Sequence, residues 1–380
     1  MRKISILQVV GGLNMGGSET WLMNVLRLLD QSHFHMDFLV FTNKDYYYNS
    51  EIRNLGAKII ISKPKSWRFP FTFRRILQDH GPYNIVHSHP HFLSGYILFW
   101  AHCFGIPIRV AHSHTDTTRS RRFGRGNLFR RAYMQVMRQA IKNHATAGLA
   151  ASREAAKALF GDDWSLDPRW RLLYCGLDLT PFAAPVDRQK VRQEFGLNSQ
   201  DFVVGHIGRF HELKNHQFLI KIANEMIKKD SNTRYLLVGD GPLRPTIESQ
   251  VSEAGLTHWV IFTGVRNDVP RLMLGAMDVF LFPSLLEGLG LVLVEAQASG
   301  LPCVISDIVP SEADIINSLI TRLSLTKSAQ EWSEEILSLR NLLPQISQTG
   351  ALKIVEESPF NIINTEIMSF YQEISNCLDG

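Results

Sequence analysis

Two glutamates, Glu287 and Glu295, stand in the stretch with the strongest chemical signal. Glu287 follows an apolar strand pattern, and Glu295 lies within the helix that comes next. At a rise of about 1.5 Å per residue, their backbones are about 12 Å apart, roughly the length of a hexose-diphosphate-ribose unit. A carboxylate in an apolar helix needs hydrogen-bond donors, which sugar hydroxyls supply. The stretch therefore predicts a site for two sugars.

Glycines between the two glutamates mark the start of this helix. The residues there are Gly288, Leu289, Gly290 and Leu291. A helix start offers free N–H groups and the positive end of the helix dipole, which together favour an anion. We therefore expect a phosphate group between the two sugars.

Two cations follow another predicted strand, at residues 202–207. Arg209 comes directly after Gly208, and Lys214 lies five positions further along the chain. Arginine can bind a phosphate through two N–H groups, and lysine acts as a compact point charge. The loop is therefore typical of a diphosphate site, although either cation could instead cap a carbonyl or be solvated. The next strand ends at Gly239 in a tight Gly-Asp-Gly-Pro turn. The turn allows close backbone approach, although this stretch alone favours an ordinary turn.

A glycine-rich loop also follows the first predicted strand. From Gly11, its spacing is that of a Walker A loop, but Gly17 stands where that motif requires the Lys that precedes Ser18. The spacing also differs from the G-x-G-x-x-G of dinucleotide-binding folds. The loop thus disfavours a P-loop nucleotidase and an ordinary dehydrogenase.

Histidines occupy the ends of two further strands. His87, His89 and His91 alternate and could share one face, with His112 and His114 nearby. A zinc site is disfavoured because no cysteine or acidic residue completes a tetrahedral set in either segment. Donors to a ligand, or caps of strand ends, are favoured instead. No Asp-x-Asp pair at a strand end could carry Mg²⁺, so we expect chemistry that needs no metal ion or cofactor.

Length and composition indicate two folded domains. The chain has 380 residues, of which 45% are hydrophobic, and its four cysteines form no C-x-x-C pair. A strand pattern begins directly after the first residues in place of a signal peptide, so the expected location is the cytoplasm. The longest apolar window, residues 92–104, is shorter than a membrane span. We expect no transmembrane helix.

Charge is unevenly placed along the chain, although the net charge of +4 is too small to imply nucleic acid. Between Asp116 and Glu154 there is no acidic residue. The cations of this segment include Arg119, Arg121, Arg122, Arg125, Arg130, Arg131, Arg138 and Lys142. One interpretation is a solvated helix face, opposite a buried stripe. That stripe would consist of Phe129, Tyr133, Val136, Met137 and Ala140. The other interpretation is a patch for anionic lipid or a diphosphate-linked acceptor.

Strand and helix patterns alternate in both halves, which predicts two α/β domains with parallel, doubly wound sheets. The predicted strands are 4–10, 37–41, 58–61, 84–87, 108–112, 147–151 and 171–174, then 202–207, 235–238, 259–262, 279–282 and 303–306. The predicted domains are 1–180 and 199–359, joined by a linker at 181–198, with a terminal helix in 360–380. Ligands of such sheets bind beyond the carboxyl ends of the strands, where the motifs above are found.

These motifs together resemble the family 4 retaining glycosyltransferases of the GT-B fold, in particular the bacterial branch that builds capsular, exopolysaccharide or lipopolysaccharide glycans. The resemblance rests on the glycine loop at 11–17, on Gly208 and Arg209 with Lys214, on the turn at 239–242, and on the E-x(7)-E pair. It implies two Rossmann-like domains facing a central cleft. It also implies an N-terminal acceptor-binding domain, a C-terminal nucleotide-sugar-binding domain, and a last helix that crosses back to the first domain.

The resemblance further implies a role for each matched residue. Arg209 and Lys214 would hold the donor diphosphate, Glu295 the ribose, and Glu287 the transferred hexose. His114, with His112 as its rival, would lie beside that sugar. The implied catalytic set is His114, Glu287, Arg209 and Lys214. The implied donor contacts are Gly16, Gly17, Gly208, Arg209, Lys214, Gly239, Val265, Arg266, Glu287, Gly288, Leu289, Gly290, Leu291 and Glu295. The implied acceptor contacts are Gly16, His112, Arg119 and Arg122.

The sequence is accordingly interpreted as a hexosyltransferase that uses a UDP-sugar, retains the anomeric configuration and acts on a glycan or lipid-linked acceptor. Peripheral contact with the inner face of the membrane would involve the basic segment. Two alternatives are a nucleotide-sugar epimerase of the same architecture and a non-catalytic subunit of a glycan-synthesising complex. The hexose, the linkage and the oligomeric state are not predicted.

Overall fold

The computed structural model describes residues 3–14, 16–64, 66–114, 128–341, 346–361 and 363–376. It forms two compact units. The first contains the chain up to Gly176 together with the C-terminal segment from residue 362, and the second is Leu177–Asn361. Each unit is an α/β structure built on one parallel sheet. The predicted fold class is confirmed.

The elements of the chain up to Gly176 are strands β1 Ile4–Val10, β2 Phe34–Val40, β3 Ile59–Ile61, β4 Ile85–Ser88, β5 Ile108–Ser113, β6 Ala147–Ala150 and β7 Trp170–Leu172, and helices α1 Gly17–Arg27, α2 Asn49–Asn54, α3 Phe69–His80, α4 Ser94–Cys103, α5 Leu128–His144 and α6 Arg153–Phe160. The strands pair in the order β3-β2-β1-β4-β5-β6-β7. The strand order reverses at β1 and β4, which places the ends of these two strands side by side.

The rest of the chain contains strands β8 Phe202–Ile207, β9 Thr233–Val238, β10 Val260–Gly264, β11 Val279–Phe282, β12 Cys303–Ser306 and β13 Ile320–Leu323, and helices α7 Arg188–Glu194, α8 His216–Lys229, α9 Arg244–Glu253, α10 Val269–Gly275, α11 Leu291–Ala298, α12 Ala329–Ser338, α13 Gln348–Glu356 and α14 Ile363–Asn376. The strands of the second unit pair in the order β10-β9-β8-β11-β12-β13. Here the order reverses at β8 and β11.

Central strands form from continuous apolar runs because helices cover both faces of a parallel sheet. In β1 the last five residues are all buried, and in β11 all four are. Strand β13 lies at the sheet edge and has the mixed sequence Ile-Thr-Arg-Leu, of which only Leu323 is buried. This strand was missed in the sequence because an edge strand need not be apolar.

Residues 181–198 belong to the second unit in the structure, although the sequence suggested a separate linker. They contain α7, which packs against α10. Asp278, just before β11, accepts hydrogen bonds from the guanidinium groups of Arg188 and Arg192. These ion pairs attach the segment to the sheet. The sequence did not indicate this attachment, because charged contacts between distant residues leave no pattern in the local sequence.

Helix α5 buries a different face from the one predicted. Phe129, Tyr133 and Val136 are 82%, 46% and 60% exposed, whereas Ile141 is fully buried. Met134 and Met137 pack against the core of the first unit beside Ile141. The prediction is therefore wrong for Phe129, Tyr133 and Val136 and correct for Met137. The apolar residues of this helix are too numerous for one face, and the contact with α4 selects Met134, Met137 and Ile141.

One arginine and one lysine of the basic segment have structural partners. Arg138 donates to the carbonyl groups of Ala158 and Leu159, and Lys142 binds Asp163. The predicted cations Arg119, Arg121, Arg122 and Arg125 lie outside the described residues. Among the helices that the structure describes, none combines the length and apolar composition needed to cross a membrane.

Candidate functional site

In the second unit, the loops after β8 and β11 lie against each other. The backbone N–H of Leu285 donates to the carbonyl of Leu213 at 2.8 Å, and Asn215 Nδ2 donates to the carbonyl of Pro283 at 3.1 Å. The reversal of strand order brings these two loops together, which is the usual place for a ligand in a doubly wound sheet. The predicted phosphate loop and the first glutamate therefore belong to one site.

Lys214 and Glu287 form an ion pair across these loops. Lys214 Nζ lies 2.7 Å from Glu287 Oε1, and it also lies over the ring of Phe282 at 4.6 Å from the centroid. The two side chains are 20% and 10% exposed, so the pair is largely shielded from water. A shielded pair fixes both groups, because either one alone would be a costly partly buried charge.

Arg209 presents a different situation, since its side chain is exposed. Among the described residues it makes no ion pair and no side-chain hydrogen bond. It follows Gly208 directly, at the end of β8, and five residues later the chain reaches Lys214. The loop therefore carries one cation held by a carboxylate and one guanidinium group available to an anion.

Gly239 supports this loop from the end of β9. Its φ is +133°, a conformation that only glycine adopts readily, and a Cβ atom there would lie 2.2 Å from the carbonyl oxygen of Gly208. The N–H of Gly208 in turn donates to the carbonyl of Val238 at 3.0 Å. The turn predicted to approach a ligand thus also packs directly on the arginine loop.

Glu295 lies in α11, which begins directly after Gly290. Gly290 has a φ of 85° and gives the helix no side-chain cap. Glu295 is partly buried, and within the described part of the chain no group donates a hydrogen bond to its carboxylate. Burial raises the pKa of Glu295 to about 7, since nothing compensates the ionised form. A ligand with hydroxyl donors would supply that compensation.

The loop after β10 holds the last two predicted donor contacts. Val265 is 45% exposed, whereas the guanidinium group of Arg266 donates two hydrogen bonds to Asp268, at 2.8 and 2.7 Å. The charge of Arg266 is therefore already paired. A contact between this loop and the donor stays a prediction, and Val265 is the side chain more available for it.

The first unit contains a cavity of about 150 Å³ at the ends of β1 and β4. Its lining residues are Val10, Gly11, Ser18, Glu19, Leu22, His89 and His114. Gly16 caps α1 with extended backbone, and Gly17 is the first residue of that helix. The structure therefore brings the first glycine loop and His114 together. His112 is fully buried and does not line this cavity, whereas His114 does. The acceptor contacts of Gly16 and His112 stay predictions.

A chain of hydrogen bonds connects four histidines beneath this cavity. Gln8 Oε1 accepts from His89 Nε2 at 2.8 Å, and His89 Nδ1 lies 2.8 Å from His114 Nε2. Gln8 Nε2 donates to the hydroxyl of Tyr371 at 2.8 Å, and this hydroxyl lies 2.6 Å from His87 Nδ1. His87 Nε2 lies 3.1 Å from Nδ1 of His112.

The orientation of the Gln8 amide determines the tautomer of His114. Because Gln8 Oε1 only accepts, His89 carries its proton on Nε2 and accepts at Nδ1 from His114 Nε2–H. His114 Nδ1 is then an acceptor, 3.7 Å from the Cys175 sulfur. Burial lowers the pKa of His114 to about 3, so this imidazole is neutral.

Cys175 is the residue of this cluster that sequence reasoning missed. It lies three positions after β7, while the histidines lie in or just after β4 and β5. Its thiol is buried, and burial raises its pKa to about 12. The argument against a zinc site considered each histidine segment alone, whereas the sheet places a cysteine from a third segment beside His114. The cysteine's place at a strand end was the available signal.

Comparisons with known proteins agree with this arrangement. The model for the glycosyltransferase family 4 domain matches residues 15–180, and the model for glycosyl transferases group 1 matches residues 187–343. A protein of Bacillus subtilis (strain 168) that carries the name glycosyltransferase EpsF is 38% identical over 338 residues, covering 87% of this chain and 86% of that protein. CapH, a capsular polysaccharide biosynthesis glycosyltransferase of Staphylococcus aureus, is 26% identical over 299 residues, covering 77% and 79%.

Solved structures show the same fold. HepE from Anabaena, crystallised with UDP and glucose, has a TM-score of 0.79 and 19% sequence identity, with coverage of 97% of this chain and 100% of HepE. WaaG, a glycosyltransferase involved in lipopolysaccharide biosynthesis, has a TM-score of 0.69 and 18% identity, with coverage of 95% of both chains. With the two family models matching consecutive parts and EpsF aligning over most of its length, the chain belongs to the family 4 glycosyltransferases of the GT-B fold.

Proposed function

We propose that the protein transfers a hexose from a UDP-linked donor to a glycan or lipid-linked acceptor during synthesis of a surface polysaccharide, with retention of the anomeric configuration. The proposal includes catalysis without a metal ion and a cytoplasmic site of action, where nucleotide sugars are the donors. The single observation that carries it is the contact between two loops at the switch point of the second sheet. The loop after β8 contains Arg209 and Lys214, and the loop after β11 contains Glu287, which forms the ion pair with Lys214.

The donor site follows from the charges around this contact. Arg209 and Lys214 supply two cations for a diphosphate, and the positive end of α11 begins at Leu291, four residues after Glu287. Glu295 has an uncompensated carboxylate one turn inside that helix, suited to the two hydroxyls of a ribose. HepE, which shares the fold, binds UDP and UDP-glucose, and CapH takes part in capsule synthesis; both support the proposed donor and pathway.

The proposed chemistry is stabilisation of the departing diphosphate. Negative charge develops on the leaving phosphate as the glycosidic bond breaks, and fixed cations stabilise that charge more than the ground state. Glu287 is held by Lys214 and is not a free nucleophile. We therefore propose that the acceptor attacks from the face that the diphosphate leaves, with a phosphate oxygen taking the acceptor proton.

A panel of donors tests the proposed function. Purified protein is incubated with UDP- and GDP-linked hexoses in the presence of EDTA, and thermal melting identifies the donors that stabilise it. The stabilising donor is then supplied together with lipid extract of a polysaccharide-producing bacterium, and the products are analysed for the anomeric configuration of the new bond. Isomerised donor in the absence of any acceptor would instead establish an epimerase, and failure of every donor to bind would refute the proposal.

Donor affinity should rise with pH through neutrality. Without donor, Glu295 is protonated below its pKa of about 7, and only the ionised carboxylate accepts both ribose hydrogen bonds. If binding requires that form, a UDP-hexose should bind about tenfold more tightly near pH 8 than near pH 6. Calorimetry measures this affinity directly. A UDP-hexose is a suitable ligand because its diphosphate is esterified at both ends and therefore does not itself titrate near neutral pH.

Two variants separate this effect from general pH dependence. Glu295→Gln should bind the donor more weakly at high pH and with a flat profile, and its KM should rise more than its kcat falls, because ribose contacts persist throughout the reaction. Glu335→Gln replaces an exposed glutamate of α12 and should preserve the wild-type profile. An unaltered profile in Glu295→Gln would contradict the ribose assignment.

Peripheral membrane contact is proposed for the exposed face of α5. Phe129 and Val136 are exposed apolar side chains, and Arg131 on the same helix is exposed as well. Apolar insertion with cationic attraction to anionic headgroups is the usual basis of such contacts. Phe129 and Val136 belong to the stripe that the sequence predicted to be buried, and the structure exposes both.

Replacing Phe129 and Val136 together with glutamine should reduce binding to phosphatidylglycerol vesicles by about tenfold or more, since two apolar side chains lose their burial. Binding of the wild type should also weaken with salt. Vesicle sedimentation measures both effects. Leu166→Gln is the matched control, because Leu166 is 84% exposed in the same unit but lies away from α5 in sequence. Equal binding by all three proteins would restore the interpretation of a solvated face.

A further inference from the structure

The histidine cluster of the first unit has the composition of a metal site. His112 lies in β5, His114 follows that strand, and Cys175 follows β7. One ligand atom from each of the three side chains lies within 4.8 Å of the other two. We propose that His112, His114 and Cys175 bind Zn²⁺ or another divalent metal ion of similar softness. The proposed glycosyl transfer has no need of this metal, so the inference goes beyond that function.

The distances suit tetrahedral coordination. With a Zn–S bond of about 2.3 Å and a Zn–N bond of about 2.0 Å, tetrahedral angles place the sulfur and nitrogen about 3.5 Å apart. Cys175 Sγ and His114 Nδ1 are 3.7 Å apart. His112 Nε2 has no hydrogen-bond partner among the described residues, which leaves it available for the third bond. Three protein ligands leave the fourth position to water.

A second shell for these ligands already exists. A metal-bound histidine usually donates its other ring N–H to a fixed acceptor. His114 Nε2 lies 2.8 Å from His89 Nδ1, and His112 Nδ1 lies 3.1 Å from His87 Nε2. Gln8 and the hydroxyl of Tyr371 hold the outer nitrogens of His89 and His87. Both ligand rings are thus oriented before a metal arrives.

This trio is favoured over the neighbouring group of His87, His89 and His112. Both ring nitrogens of His87 and both of His89 already lie within hydrogen-bond distance of partners, so ligation through either residue would break the network. Metal binding releases the thiol proton of Cys175 to solvent, because the thiolate is the ligand. A thiolate with two neutral imidazoles favours Zn²⁺ over Mg²⁺ and Ca²⁺, which prefer oxygen ligands.

Cobalt substitution tests the site without any assay of sugar transfer. Reduced full-length protein is freed of metal with a chelator and titrated with Co²⁺. We expect one equivalent to bind with a thiolate-to-cobalt charge-transfer band in the near ultraviolet and the intense visible bands of four-coordinate Co²⁺. Zn²⁺ should then displace the cobalt. Absence of the thiolate band from the wild type would overturn the proposal.

Cysteine variants identify the ligand. Cys175→Ala should abolish the charge-transfer band and weaken metal binding by more than about 100-fold, whereas Cys103→Ala, Cys303→Ala and Cys377→Ala should bind like the wild type. His89→Gln, which removes a second-shell partner only, should weaken binding by about 10- to 100-fold and keep the band. A band that survives in Cys175→Ala, or disappears with another cysteine, would refute the assignment.

A second ligand variant covers the case in which Cys175→Ala does not fold, which circular dichroism would reveal. His112→Gln keeps the thiol and removes the proposed ligand nitrogen Nε2, which has no hydrogen-bond partner among the described residues. It should lose the four-coordinate visible bands and most of the Zn²⁺ affinity. Wild-type affinity in folded His112→Gln would exclude the proposed site.

Discussion

Alanine at Lys214 or at Arg209 should slow sugar transfer by about 100-fold or more, near 2.7 kcal/mol of transition-state stabilisation. Both cations lie on the loop after β8, where the departing diphosphate of the proposed donor would develop its charge. The loss should appear in kcat, because the interaction strengthens as the bond breaks. Steady-state kinetics with the donor identified by thermal melting measures it.

Lys221→Ala is the matched control, since Lys221 is an exposed lysine on α8, the helix that follows the loop. It should have wild-type turnover. Melting curves must accompany Lys214→Ala, because Glu287 loses its partner and the folded state loses a shielded ion pair. Arg209 has no such partner among the described residues, so Arg209→Ala should melt like the wild type. Turnover near the wild-type rate in both variants would remove the diphosphate assignment.

Glu287→Gln should reduce kcat by a similar factor, about 100-fold, for a different reason. The carboxylate both orients the ammonium of Lys214 and, in the proposed site, accepts hydroxyl hydrogen bonds from the transferred hexose. The amide keeps the shape and loses the charge, so both functions weaken. Affinity for UDP, which contains no hexose, should change much less than turnover.

The double variant distinguishes a shared role from two separate ones. Because Lys214 and Glu287 are in contact, the loss in Lys214→Ala/Glu287→Gln should be clearly smaller than the two single losses combined. Glu335→Gln again serves as the control for removal of a charge. If UDP affinity falls as much as turnover in Glu287→Gln, Glu287 acts only by holding Lys214, and its assignment to the hexose is wrong.

Local patterns were sufficient for most of the fold. Apolar runs of the central strands and the alternation of strands with helices predicted both parallel sheets, because these strands are buried on both faces. Strand β13 was missed because an edge strand tolerates Thr321 and Arg322. The buried face of α5 was misassigned because its apolar residues form two sets at helical spacing. Phe129 and Val136 belong to the exposed set, and Met134 and Ile141 belong to the set that packs inside.

Contacts between distant segments were beyond the sequence argument. Glu287 and Lys214 were each singled out, but nothing in their local sequences indicated that they form a pair. The paired state of Arg266 was equally invisible, since its neighbour Asp268 could have been solvated. Cys175 was not connected with the histidines, because its relation to His114 exists only once β5, β6 and β7 are in register.

Helix α14 gives the first unit an unusual order of assembly. Ile367 and Tyr371 of this helix are fully buried there, and the Tyr371 hydroxyl completes the network of Gln8 and His87. These residues leave the ribosome after the whole of the second unit has been synthesised. During translation, the second unit can therefore fold first, while the sheet that began the chain still has an open groove. Folding of this protein should therefore end with the docking of α14 into that groove. Until this step, the groove should depend on a chaperone for protection.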